Sequence, residues 1–249
     1  MSLALPEGCM LVALARTGST NDEAKSLAAT GAADGTVVWA REQTAGRGRR
    51  GRTWVSPAGN LYLSILLRPD KPPVESAQLS FVAAVALGDA IAELLPGHAA
   101  LNCKWPNDIL VNGRKVAGIL LESSGAATGQ ATDWVVIGCG VNITGHPPDT
   151  LYPATDLKAE GAAAASVEAV LERFLESFFR WRDRWMESGI GPVRAAWLAR
   201  AAGLGSEITV RLPHREIRGR FVDMDRDGAL LLEGPGGVRE TISAGDVFL

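Results

Sequence analysis

Two stretches concentrate the side chains that could act on an anion. Between Arg41 and Arg52, five of the twelve residues are arginine and three are glycine, ending in Gly46-Arg47-Gly48-Arg49-Arg50-Gly51-Arg52-Thr53-Trp54. Arginine keeps its charge at any working pH and grips carboxylate or phosphate with two parallel hydrogen bonds. Glycine lets a backbone approach a ligand closely. The pattern predicts a mobile loop that folds over an anion. The second stretch, Leu101 to Glu122, gathers Lys104, Asn107, Asp108 and Lys115. Lysine serves phosphate oxygens as a point charge, and a carboxylate can share Mg²⁺ with substrate phosphates. Plainer readings stand beside both. Arginine runs are often solvated faces or nucleic-acid patches, and Trp105-Pro106-Asn107-Asp108 reads equally as a turn.

The elements that must carry these groups follow from periodicity. Met10–Ala15 suits a strand. Ser19, Thr20 and Asn21 open a helix, with Glu23 three residues after Thr20 as in a capping box. Free amides and hydroxyls at such a start can bind a polar ligand, although a plain N-cap explains them as well. Thr36–Ala40 and Asn60–Leu67 read as strands flanking the arginine stretch, which places it as a lid on a sheet. Glu75–Leu95 carries one apolar helical stripe, as does Ser166–Met186. A shorter helix spans Val193–Ala201. Asn112-Gly113 between two β-rich runs is a hairpin turn, since both positions need positive φ. Trp134–Ile137 is a further strand, ending in Gly138-Cys139-Gly140-Val141-Asn142. Those glycines lack the third member of a dinucleotide fingerprint, and no P-loop occurs.

From Gly203 the pattern changes to short β segments, Glu207–Leu212, Arg215–Asp223, Ala229–Leu232 and Val238–Ser243, joined by Gly- and Pro-rich turns. This predicts a small barrel. The division expected is residues 1–202 for a first domain and 203–249 for a second.

Composition bounds the function. The 249 residues have a formal net charge of −3, so the arginine cluster is local within an acidic chain, unlike a dedicated nucleic-acid binder. Cys9, Cys103 and Cys139 are far apart and form no CxxC pair, so neither a zinc site nor a disulfide framework is indicated. The three histidines show no ligand spacing. Apolar runs fall short of the roughly 18 residues a spanning helix needs. The start lacks a basic region ahead of an apolar one, so no signal peptide is expected. The expectation is a cytoplasmic protein without membrane or nucleic-acid partners.

Four blocks then resemble the biotin protein ligases: Ser19-Thr20-Asn21; Gln43 with Gly46–Arg52 and Trp54; Lys104-Trp105-Pro106-Asn107-Asp108 with Gly113–Leu120; and Gly138–Asn142. The likeness extends to the C-terminal barrel. It implies an α+β fold, a mixed β-sheet with packed helices similar to class II aminoacyl-tRNA synthetases, followed by an SH3-like barrel. It implies that biotin and MgATP give biotinyl-5′-AMP, from which biotin passes to a lysine of a biotin carboxyl carrier protein, such as that of acetyl-CoA carboxylase.

The same resemblance implies roles. Ser19, Thr20, Asn21 and Gln43 would hold biotin. Arg47, Gly48 and Arg49 would enclose its carboxylate or the adenylate phosphate, and Lys115, with Arg49, would stabilise the transition state. Lys104, Asn107, Asp108 and Asn142 would serve the nucleotide, with Asp108 on Mg²⁺. Arg50 and Arg52 would meet loop carboxylates or ATP phosphates, and Trp54 and Trp105 would pack the site. No aromatic residue stands out to cover adenine. Family members often pair through their sheets, so a homodimer is expected. Some carry an N-terminal winged helix, for which the first block at Ser19 leaves no room. Three alternatives remain: a lipoate or octanoate transferase of the same fold, a nucleic-acid module built on the arginine loop, and a ligand sensor without chemistry.

Overall fold

The computed structural model describes residues 3–124, 131–148, 150 and 152–249. A seven-stranded mixed sheet carries every element of the candidate site. Its strands are β1 (Met10–Leu14), β2 (Thr36–Ala40), β3 (Leu61–Leu67), β4 (Leu101–Lys104), β5 (Asp108–Val111), β6 (Arg114–Ser123) and β7 (Val135–Val141). Their order is β1-β2-β3-β7-β6-β5-β4. Only β1 and β2 run parallel.

Strands β2 and β3 are buried along their whole length, which explains why they read as continuous apolar runs. Val38, Leu66 and Val136 face helix α1 (Thr20–Ala29) with Ala24 and Ala28. Their neighbours Val37, Ile65 and Ile137 point into the larger core, beneath α3 (Leu79–Ala92) and α4 (Val167–Ser188). The predicted helix over Glu75–Leu95 is two: the short α2 (Pro73–Ser76), then α3. Together Pro73–Ala92 has the length and mean hydropathy (1.3) of a membrane span, yet 72% of it is buried inside the protein. Eleven of the fourteen α3 residues are buried, because α4 and α5 (Ile190–Leu198) cover the side away from the sheet.

Other expectations shift at their edges. Helix α5 begins three residues early, because Gly189, at φ 66°, ends α4 and opens α5 directly. β7 runs through Gly138 and Gly140 to Val141, since β3 and β6 hydrogen-bond to it on both sides. The predicted turn forms as expected, with Asn112 at φ 49° and Gly113 at φ 76°. The capping box does not form. Ser19 is the N-cap and makes no side-chain cap bond, while Glu23 accepts from Thr17 Oγ1 at 2.6 Å.

The second unit is a five-stranded antiparallel SH3-like sheet. It comprises β8 (Glu207–Arg211), β9 (Glu216–Met224), β10 (Leu230–Glu233), β11 (Arg239–Ile242) and β12 (Asp246–Phe248), ordered β11-β10-β9-β8-β12. Strand β12 escaped the sequence reading because three residues carry no period; pairing with β8 makes it a strand. The unit is fastened to the main sheet. Trp105 Nε1 donates to Gly228 O at 2.9 Å, and Trp197 of α5 packs edge-on against both Phe81 of α3 and Phe221 of β9. This brings β12 to the mouth of the site.

Candidate functional site

A cavity of about 330 Å³ opens above β6 and β7. Helix α1, the arginine stretch, the β5–β6 hairpin, the segment around Tyr152 and β12 surround it. Of the residues predicted from the sequence to meet ligand, all but Arg50 lie on its wall.

The floor is glycine because nothing larger fits. A Cβ on Gly138 would collide with the Asn21 amide, and one on Gly140 would lie 2.5 Å from Trp54 Nε1. Gly140 pairs across the sheet with Gly118, so the indole rests on two adjacent strands without side chains. Gly140→Ala is therefore expected to push Trp54 into the cavity. It should lower stability by about 1–3 kcal/mol, as overpacking does, and weaken ligand binding; calorimetry and thermal melting measure both, and an unchanged variant would show that Trp54 can move freely.

One end of the cavity is a polar cradle. Gln43 Oε1 accepts from the Thr20 backbone N–H at 2.8 Å and Oγ1 at 3.1 Å, while its Nε2 donates to Ser56 Oγ at 3.0 Å. Ser64 Oγ lies 2.8 Å from Thr20 Oγ1 and 2.6 Å from Asn21 Oδ1. Asn21 Nδ2 donates to Glu122 Oε2 at 2.7 Å. The Asn21 amide is thus committed to protein partners, and it fixes Thr20 and Ser64 from behind. Ser19, the N-cap, makes no side-chain cap bond, which leaves its hydroxyl for a neutral ligand, while Gln43 meets the Thr20 amide and hydroxyl.

The arginine stretch is a folded strap rather than an open loop. Gly48 N–H donates to Arg52 O at 2.7 Å, Trp54 N–H to Gly46 O at 2.9 Å, and Arg47 bridges Thr53. Arg49–Gly51 make a 3-10 turn at its tip, where Arg50 takes φ 55°, a left-handed conformation. The arginines divide by partner. Arg47 forks onto Asp22 at 2.5 and 2.8 Å and touches Glu122 at 3.3 Å. The Arg47 guanidinium holds the Asp22 carboxyl well below the usual carboxylate range. In this arrangement Arg47 ties the strap to α1 from the cavity wall.

Arg50 and Arg52 both pair with Asp246, at 3.1 Å for Arg50. That carboxylate comes from β12 of the second unit, a partner outside the strap that the sequence pattern did not name. Asp246→Asn is expected to release the strap tip and speed ligand loss severalfold, with a stability change below about 1 kcal/mol, since both arginines are half-exposed. Stopped-flow dissociation would read it, and wild-type retention would contradict it.

Arg49 is different. It reaches Asn107 Oδ1 at 3.3 Å and forms no ion pair among the described residues. Burial lowers its pKa. Lys104 is 5% exposed and likewise forms no ion pair among the described residues; its Nζ sits 3.5 Å from the Tyr152 ring centre. Burial lowers its pKa too. A buried lysine and a half-buried arginine, neither met by a carboxylate among the described residues, favour an anion in the space they share. Lys115 Nζ meets Asp108 Oδ1 at 2.6 Å and lies over the Trp54 ring. Asn142 Nδ2 donates to Thr155 O at 3.0 Å, which ties down the segment carrying Tyr152.

Sequence reasoning missed Ser56, Ser64, Glu122, Tyr152 and Asp246. Tyr152 was visible as an aromatic in a Gly/Pro-rich loop; the others depend on long-range pairing that spacing does not record.

With Asp108 engaged by Lys115 and Asp246 by two arginines, the donors do not suit a resident metal ion. No group of three acidic, histidine or cysteine side chains gathers among the described residues.

Comparison with known proteins matches residues 13–142 to the biotin/lipoate A/B protein ligase family and residues 203–249 to the biotin protein ligase C-terminal domain. The chain is 47% identical over 240 residues to a biotin–[acetyl-CoA-carboxylase] ligase of Paracoccus denitrificans, covering 94% of this chain and 98% of that protein. It is similar to a biotin protein ligase of Aquifex aeolicus solved with biotin and ATP, at a TM-score of 0.81 and 27% identity over 96% of this chain and 97% of that one. A Leishmania major biotin protein ligase solved with biotinyl-5-AMP aligns at a TM-score of 0.68 and 28% identity, covering 96% and 100% of the two chains.

Proposed function

The chain belongs to the biotin protein ligase family, and from that premise we infer that it joins biotin to a carrier-protein lysine at the expense of ATP. A biotin carboxylate oxygen attacks the α-phosphorus, pyrophosphate leaves, and biotinyl-5′-AMP forms. The carrier lysine amine, as its free base, then attacks the anhydride carbonyl; AMP leaves, and the amine gives up a proton. The carrier would be a biotin domain of the acetyl-CoA carboxylase type.

One observation carries this reading: Arg49 and Lys104, without an ion pair among the described residues, and the Lys115–Asp108 pair converge on a cavity whose other end is a neutral polar cradle. The first step brings a carboxylate against a phosphate, which repel. Cations placed beforehand at the meeting point offset that repulsion and stabilise the charge developing there. In this reading Ser19, Thr20 and Gln43 hold the biotin head, held firm by Asn21 behind them. Lys115, freed from Asp108 by the stronger anion, would sit on the reacting carboxylate and α-phosphate. Lys104, Asn107 and Arg49 would take the phosphates, and Tyr152 would bound the nucleotide. The strap then excludes water, which would otherwise hydrolyse the anhydride.

Mg²⁺ would arrive on the nucleotide's own phosphates, with Asp108 offering at most one carboxylate. No step here depends on it.

Pyrophosphate release on mixing with biotin and MgATP tests the reading. Calorimetry separates the nearest rival: heat from octanoate or lipoate with none from biotin would replace biotin as the acid.

A further inference from the structure

Glu160 lies outside the cavity, beyond Asn142, and its side chain is 2% exposed. A carboxylate taken so far from water is costly unless its lone pairs find donors. It has three. Arg114 Nη2 at 2.6 Å and Thr155 Oγ1 at 2.5 Å share one oxygen, and Asn112 Nδ2 at 2.7 Å takes the other.

These donors come from two separate walls of the site. Asn112 and Arg114 frame the β5–β6 turn, and Asn112 Oδ1 also accepts from Ala100 N–H at 3.0 Å. Thr155 belongs to the segment that carries Tyr152. Lys115 is stitched between the two: its N–H donates to Pro153 O at 2.7 Å, and its carbonyl accepts from Thr155 N–H at 2.9 Å. A carboxylate that only filled space here would be worse than an apolar side chain of the same size. This one clasps the hairpin to the segment at the residue whose ammonium faces the cavity.

We propose that Glu160 is a positioning residue for the adenylation step, setting the Lys115 backbone and the Tyr152–Thr155 segment in register so that ATP is used productively. The biotin cradle is built on α1, Gln43 and Ser64, and none of these touches Glu160 or its donors. The clasp therefore acts at the end where ATP meets the carboxylate and leaves the biotin head-group cradle untouched. The inference rests on the reading of the cavity as a biotin and ATP site.

The test uses the full chain. Glu160→Gln keeps the shape and removes the charge that Arg114 meets. It is expected to raise KM for ATP or lower kcat for pyrophosphate release by roughly tenfold or more, as displacement of a reacting group does. The biotin Kd by calorimetry should change less than twofold. Thr155→Val removes one donor and leaves two; it should give the same split more weakly and serves if the first variant does not fold. Wild-type ATP kinetics in both variants would overturn the proposal. So would equal loss of biotin binding and ATP use, which marks a merely structural residue. An unmutated chain that binds biotin but releases no pyrophosphate would instead remove the ligase reading, and this proposal with it.

Discussion

Lys115→Ala is expected to slow adenylate formation by roughly 10²–10³-fold, the loss seen when one pre-placed electrostatic donor is removed from a reacting centre. The ammonium is poised on β6, 2.6 Å from Asp108 and against the Trp54 ring, and only a stronger anion would draw it away. Stability should fall as well. Asp108 is 11% exposed at its side chain and loses its one ion-pair partner among the described residues, which costs about 1–3 kcal/mol for a buried polar group left unmet. A second substitution separates the effects. Asp108→Asn in the Lys115→Ala background should restore much of the melting temperature and none of the rate. Single-turnover pyrophosphate release measures the rate, and recovery of rate and stability together would show that Lys115 acts only through packing.

Arg49→Gly is expected to shorten retention of the adenylate by roughly 10²-fold. Truncating one partner of a buried charged contact costs about 2–5 kcal/mol, and each 1.4 kcal/mol is about tenfold. Arg49 is the strap arginine that no described carboxylate satisfies, whereas Arg47, Arg50 and Arg52 are occupied by Asp22, Glu122 and Asp246. Glycine in its place would also loosen the strap turn. A chase of labelled adenylate reads the release directly. A variant that holds its ligand as long as wild type would mean that Arg47 or the Asp246 contact does the closing.

The contrast among these arginines marks the limit of sequence reading. Their number and spacing marked an anion-binding strap between two strands, and β2 and β3 do flank it. Which arginine is available to a ligand depends on Asp22, Glu122 and Asp246, residues 25, 75 and 196 or 194 positions away from their partners. Local pattern does not encode such pairings. The Asn112-Gly113 turn was legible because its chemistry is local: both residues adopt positive φ. The reach of β7 through Gly138 and Gly140 was not, since glycine weakens a strand pattern and only the facing Asn21 and Trp54 explain why nothing else fits. Ser19 to Asn21 were recognised at a helix start, but the capping box gave way to a tertiary bond. The Thr20 amide donates to Gln43, which is why this helix start belongs to the site. Likewise β12 has no sequence signature, yet it delivers Asp246 to the strap.

The most direct measurement is transfer of labelled biotin to a purified biotin carrier domain with and without ATP. Label on a single carrier lysine, dependent on ATP and abolished by Lys115→Ala, is the expected result. Absence of biotin transfer, with octanoate or lipoate attached to the carrier in its place, would contradict the account.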